Sequence, residues 1–172
     1  SPWWTDRNLY FRMDDTSRIP ILHRQIVDEI EGDGAHSVLD YGSGDGRLIE
    51  SFSDFEKYKF TLFDTDTEIL KIAAKKFAKN ENVTVKQESS QLTIGGYDAV
   101  VSSNVLMLMK TREELGRVVE HMKSLVASGG SIYVGITHPC FLDHKFATYS
   151  NDFTDGHKVF DYFKNGADYN VY

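Results

Sequence analysis

The amino-acid sequence predicts a doubly wound α/β fold, a mainly parallel sheet with helices on both faces. Three observations predict it. Short apolar-centred segments alternate with amphipathic stretches of about a dozen residues, the pattern of strands joined by helical crossovers. The first of these strands runs directly into a cluster of glycines, Gly42, Gly44 and Gly46. The chain has 172 residues, 41% of them hydrophobic and 26% charged, which are the size and composition of one globular domain. Parallel pairing through right-handed crossovers puts helices on both faces and directs ligands to the carboxyl ends of the strands.

Each element has its own signal. Residues 1–18 are polar and aromatic without periodicity and read as a loop or short helix lying on a surface. A helix follows, in which Ser17 can cap, Pro20 suits the first turn, and Ile19, Leu22, Ile26, Val27 and Ile30 recur at helical spacing up to Gly32-Asp-Gly34. Ser37–Tyr41 is a strand, and Arg47–Phe55 after the glycines is expected to be helical. Lys59–Phe63 is the second strand. Thr65 with Glu68 forms a capping-box pattern for a helix carrying Ile69, Ile72, Ala73 and Phe77 on one face. Asn82–Lys86 and Tyr97–Val101 read as two further strands. Thr111 with Glu114 opens a helix whose stripe is Leu115, Val118, Val119, Met122, Leu125 and Val126, with Gly129-Gly130 as its stop. Ser131–Ile136 is the fifth strand, and from His138 the chain is polar and aromatic with turn signals only.

Composition excludes several classes. Nineteen basic against 26 acidic residues give a formal charge of −7, so no global field draws in phosphate backbones, and nucleic-acid binding is disfavoured. The single Cys140 cannot form an intrachain disulfide or a zinc cluster, which fits a reducing, cytoplasmic setting. No apolar run approaches the length of a membrane span, and the opening residues lack the layout of a signal peptide. The histidines have no metal-ligand spacing, so no metal is assigned.

The chemistry is announced by Val38-Leu-Asp-Tyr-Gly-Ser-Gly-Asp-Gly46. Glycines after a strand allow a tight turn and a close approach of ligand to main chain. Their spacing is G-x-G-x-G, preceded by Asp40, rather than the G-x-G-x-x-G of dinucleotide sites, and Arg47 stands where a phosphate-binding loop would need lysine. Asp64 ends the second strand, 24 positions after Asp40. An acid placed so can accept both hydroxyl hydrogens of a ribose and repel a 2′-phosphate. It can also be a plain turn or cap residue. His138, before Pro139 at the end of the fifth strand, is the candidate general base; its alternative is a hydrogen bond within a turn.

The glycine segment resembles the first motif of class I, Rossmann-like S-adenosylmethionine (SAM) dependent methyltransferases, and the later segments follow in that family's order. The resemblance implies SAM as cofactor, S-adenosylhomocysteine (SAH) as product, and a small-molecule acceptor of the methyl group. It implies that Asp40, Gly42, Ser43 and Gly44 belong to the cofactor site, that Asp64 meets the ribose, and that Thr65 lies beside the adenine. Gln87-Glu-Ser-Ser90 is similar to the family's segment after the third strand, which would put Glu88 at the adenine amine and the Ser89 amide at a ring nitrogen. Tyr97–Leu106 resembles the fourth-strand motif, where the main chain of Ser103 and Asn104 would meet the methionyl part. Thr137-His-Pro-Cys-Phe141 resembles a His-Pro-Phe-like element of some small-molecule methyltransferases. An N-terminal aromatic lid is common in the family, so Tyr10, with Trp4, is expected to close over the cofactor; packing on the sheet edge is the other reading.

The implied organisation is a lid segment at 1–18, a SAM-binding core at 19–137 and an aromatic, substrate-covering segment at 138–172. Of the 22 aromatic residues, four lie in the first 11 positions and nine in the last 32. The family's sheet ends in an antiparallel hairpin for which the last 35 residues give no signal, so that hairpin is expected to be missing and the chain to be a fragment. Two other functions stay open: a SAM-binding regulatory module without methyl transfer, and a nicotinamide-dependent oxidoreductase, against which the glycine spacing argues.

Overall fold

The computed structural model describes residues 19–136. In chain order these form helix α1 (Ile19–Gly32), strand β1 (Ser37–Tyr41), strand β2 (Lys59–Phe63), helix α2 (Thr67–Lys76), strand β3 (Val83–Lys86), strand β4 (Tyr97–Ser103), helix α3 (Arg112–Leu125) and strand β5 (Val126–Gly135). The sheet has the order β3-β2-β1-β4-β5, and every pairing in it is parallel. The chain winds outward from β1 to β3, then crosses back to lay β4 on the other side of β1. The carboxyl ends of β1 and β4 therefore flank the point where the winding reverses, the place where such sheets form a ligand crevice.

Alternation along the strands sorts side chains onto two faces. Val38, Phe60, Leu62, Ala99 and Val101 meet Ile26, Val27 and Ile30 of α1, together with Ala73 of α2 and Phe77 just beyond it. Leu39, Tyr41, Phe63 and Val100 meet Met122 and Leu125 of α3 on the opposite face. Helices thus cover both faces, as expected of near-continuous apolar strands buried on two sides. Phe52, Phe55, Tyr58 and Phe60 cluster at centroid separations of 4.7–5.7 Å.

The structure corrects four local expectations. No α-helix follows the glycines. Residues 47–58 contain two short 3-10 turns, Ile49–Ser51 and Phe55–Lys57. Ser53 explains the interruption: both its amide and its hydroxyl donate to the Glu31 carboxylate of α1, at 3.0 and 2.8 Å, so this side chain and its amide are bound outside any helical ladder. The cap of α2 is Asp66 rather than Thr65, and it accepts from the amides of Glu68 and Ile69. Thr111 caps α3 as expected, but its partner Glu114 reaches the amide of Lys110, one residue upstream of the box position. Finally, α3 ends at Leu125 and β5 begins at once with Val126, which pairs with Tyr97. The register then slips between Tyr97 and Ala99, and Gly129-Gly130 lies inside this irregularity instead of stopping a helix. A Cβ on Gly130 would stand 2.6 Å from the Asp98 carbonyl oxygen, so the strand pair needs glycine there.

Candidate functional site

The glycine loop is tied to the end of β2 through three amides. Those of Gly42 and Ser43 donate to the Phe63 carbonyl, at 2.7 and 2.9 Å, and that of Gly44 donates to the Asp64 carboxylate at 2.8 Å. The second oxygen of Asp64 accepts from the Asp66 amide at 2.9 Å. The half-buried Asp64 thus fixes both the loop and the turn into α2. Each carboxylate oxygen has a further lone pair for a ligand hydroxyl.

Gly42 has φ +85°, and a Cβ built on it would lie 2.2 Å from Cγ2 of Val105. The missing side chain at Gly42 therefore makes room for Val105, just past β4. This adds a packing role to the tight turn and close ligand approach expected of the glycines. β4 ends in Ser102 and Ser103. Asn104 takes the left-handed conformation at φ 59° and donates its amide to the Gly135 carbonyl at 2.7 Å. Such a backbone costs a non-glycine residue energy, and asparagine tolerates it better than most.

Several polar atoms here are buried without a protein partner: the hydroxyls of Ser43 and Ser102, Oδ1 of Asp45 and Oδ1 of Asn104. Ser43, Asp45 and Asn104 lie in the two loops that flank the crevice. Such atoms cost stability unless something satisfies them. They fit a polar ligand lying across the ends of β1 and β4.

The acids around the loop carry perturbed affinities for protons. Asp40 is buried at 3% exposure; burial first, then the nearby charges of Asp64 and Asp45, push its carboxyl up to about 8. Burial also raises Asp45, against the opposing effect of Lys76. Its Oδ2 accepts from Arg47 Nε at 3.0 Å and lies 3.5 Å from Lys76 Nζ, which pairs with Glu50 at 2.8 Å. Three carboxyls drawn to one loop are costly in a free protein and useful to a cationic ligand.

Asp40, Gly42, Ser43, Gly44, Asp64, Ser103 and Asn104 are thus gathered along one edge of the sheet. Thr65 is exposed in the turn beside Asp64. Glu88 and Ser89 are exposed after β3, the next strand along that edge, where the Gln91 side chain holds the Glu88 amide at 3.1 Å. Tyr10 and His138 lie outside the described residues. Sequence reasoning missed His23. It sits on α1 at 8% exposure, 3.3 Å from the Ser103 hydroxyl, and burial lowers its pKa to about 4. The signal was present, because His23 is four residues before Val27 and seven before Ile30, on the apolar stripe. Asp45 and Val105 carried no such signal. Among the described residues no group of three or more His, Cys, Asp or Glu could hold a metal ion.

A family model described as a methyltransferase domain matches residues 38–130, more than half of the chain. The chain belongs to this methyltransferase domain family. The match begins in β1, contains the glycine loop and runs through the bulge into β5. No curated protein sequence matches the chain. Among solved structures it is similar to DesVI of Streptomyces venezuelae, at 22% identity and a TM-score of 0.62 over 80% of this chain and 58% of that one. It is similar to the plantazolicin methyltransferase BpumL, solved with SAH, at 16% identity and a TM-score of 0.68, covering 87% and 61% of the two chains. It is also similar to the N-methyltransferase NodS of Bradyrhizobium japonicum, solved with SAH, at 16% identity and a TM-score of 0.61, covering 72% and 64%. These likenesses bear out the Rossmann-like methyltransferase fold read from the glycine motif. The chain spans about three fifths of the length of these proteins.

Proposed function

We propose that the protein binds SAM across the carboxyl ends of β1, β2 and β4 and directs its methyl group to an O, N or S atom of a small-molecule acceptor. The observation that carries this reading is the glycine loop. It is hydrogen-bonded to Phe63 and Asp64, and the loops after β1 and β4, on either side of the reversal of the sheet's winding, each hold a buried polar atom without a protein partner, in Ser43 and in Asn104. Two structural neighbours carry SAH on the same fold, which supports SAM as cofactor and SAH as product.

SAM supplies an already electrophilic methyl group on a sulfonium, so the chain's own part is to bind, orient and exclude water. Asp64 accepts the ribose hydroxyls. Thr65, Glu88 and Ser89 border the adenine. Asp40, Gly42, Ser43, Gly44, Ser103 and Asn104 border the methionyl end. His138 takes the proton of an acceptor that arrives protonated. Tyr10 in the lid segment 1–18 closes over the cofactor, and the aromatic segment 138–172 covers the acceptor. Neither charge nor composition supports a nucleic-acid acceptor. No helix among the described residues is long and apolar enough to cross a membrane, and the sole cysteine favours a cytoplasmic setting.

Calorimetric titration with SAM, SAH and NAD tests the reading. SAM and SAH are expected to bind and NAD not; binding of NAD alone would overturn it. Asp64→Ala removes two charge-assisted contacts to the ribose and is expected to weaken SAH by about 3 kcal/mol, roughly a hundredfold. Unchanged affinity would refute the role of Asp64. Formation of SAH from SAM in the presence of a metabolite extract separates a transferase from a module that only binds.

A further inference from the structure

Three consecutive residues at the end of β4 are each held by a different element. The Ser103 hydroxyl lies 3.3 Å from Nε2 of His23 on α1, a contact that spans 80 residues of sequence. The Asn104 amide donates to the Gly135 carbonyl of β5 at 2.7 Å. Val105 fills the space that Gly42 leaves in the loop after β1. The start of α1 can come this close because β5 ends in glycine: a Cβ on Gly135 would stand 2.9 Å from Cδ2 of Leu22, the residue before His23. His23 itself is buried at 8% exposure. Burial lowers its pKa to about 4, so near neutral pH its ring has one N–H and one bare nitrogen, and Nε2 meets the Ser103 hydroxyl as donor or as acceptor.

What these contacts hold is an unfavourable shape. Asn104 sits at φ 59°, and its Oδ1 is buried without a protein partner. Left to itself such a residue relaxes to negative φ and turns its side chain to water, so it persists only where its neighbours fix it. We propose that His23 and Ser103 are positioning residues, whose hydrogen bond keeps the turn at 103–105 ready to receive the amino-acid end of the cofactor. The inference rests on the cofactor reading above and deepens it. Sheet order gives this clamp its selectivity. Asp64 follows β2, and β1 lies between β2 and β4, so a strand spacing of about 4.8 Å puts the ends of β2 and β4 roughly 10 Å apart. A ligand with its ribose on Asp64 and its adenine toward β3 reaches Asn104 only with the chain that extends from the ribose across β1. His23 acts on that chain through Ser103 and the turn, by sparing the ligand the cost of ordering them.

The test is calorimetry of the full chain with SAH and with 5′-methylthioadenosine, which keeps the nucleoside and lacks the amino-acid end. Ser103→Ala, His23→Leu and the double variant are compared with the unaltered protein, and His23→Gln, which restores a donor and an acceptor, with His23→Leu. Ser103→Ala and His23→Leu are each expected to weaken SAH about fivefold to tenfold, and the double variant no more than the weaker binder of the two, because both remove one bond. Methylthioadenosine is expected to bind every variant within about twofold of the unaltered protein, and His23→Gln to recover most of the SAH affinity. Should His23→Leu fail to fold, Ser103→Ala and His23→Gln decide. Unchanged SAH affinity in Ser103→Ala, an equal loss of both ligands, or additive losses in the double variant would overturn the inference and leave the cofactor reading standing. Failure of the unaltered protein to bind SAH would overturn both.

Discussion

The two ends of the β1–β4 pair use the same residue type in opposite ways. At the amino end, Asp98 of β4 accepts the amides of His36 and Ser37 at 3.0 and 2.9 Å, and the Asp98 amide donates to the Ser37 hydroxyl at 2.9 Å. Those backbone hydrogen bonds hold its carboxyl below the usual range. At the carboxyl end, Asp40 is buried beside Asp45 and Asp64 and is pushed up to about 8, with partnerless serine and asparagine atoms nearby. One end satisfies its polar groups and fixes the start of β1. The other leaves polar atoms without a protein partner and crowds its carboxyls, at a cost in stability. A sheet of this kind separates stability and function by strand polarity.

The comparison can be broken most forcefully at Gly42. Alanine there must adopt φ +85° with its Cβ 2.2 Å from Val105 Cγ2, and Gly42→Ala is expected to cost about 3 kcal/mol in denaturant unfolding. Adding Val105→Ala is expected to recover the steric part but not the backbone part. Full stability of Gly42→Ala would show that the loop is not packed as described.

Asp40→Asn is expected to act in the opposite sense. The unfolded carboxyl ionises near 3.8 and the folded one near 8. The folded state thus binds the extra proton between those values, and this residue's contribution to stability falls as pH rises from about 4 to about 8. Removing the titration is expected to stabilise the ligand-free protein by about 2 kcal/mol at pH 8 and to have little effect at pH 4. A loss of stability at pH 8 would contradict the account of Asp40.

Smaller effects are expected elsewhere. Asp98→Ala frees two amides near solvent and is expected to cost about 1 kcal/mol, without changing SAH affinity. That cost is expected to vanish as acid protonates Asp98, because a depressed carboxyl stabilises only above its folded pKa. His23 also makes the fold sensitive to acid, as a buried base. Its folded pKa of about 4 lies below 6.5, so its neutral burial is free of penalty above 6.5 and increasingly costly as pH falls toward 4. His23→Gln is expected to flatten that limb of a stability–pH curve.

Most of the scaffold was legible in the sequence. β1 and β2 match the expected spans, because apolar strands bounded by turns leave little choice of register. The edge of the sheet that carries the glycine loop was legible through the glycines with Asp40 and Asp64. What escaped was decided by tertiary contacts. The segment after the loop, Arg47–Phe55, was expected to be helical, but Glu31 of α1 binds the amide and hydroxyl of Ser53. Val126 fits the stripe of α3, yet pairing with Tyr97 draws it into β5. His23 meets Ser103 across 80 residues of sequence, and Val105 fills the space over Gly42. A linear pattern carries neither relation.

The most direct test of the division between the two ends is the shift in unfolding free energy that SAM produces at pH 8 in the unaltered protein, Asp40→Asn and Asp98→Ala. Saturation a hundredfold above Kd adds about 2.7 kcal/mol to a binding-competent fold. At one SAM concentration, Asp98→Ala is expected to start lower and gain the same increment as the unaltered protein. Asp40→Asn is expected to start higher and gain less. A smaller increment for Asp98→Ala, or a full one for Asp40→Asn, would contradict the account.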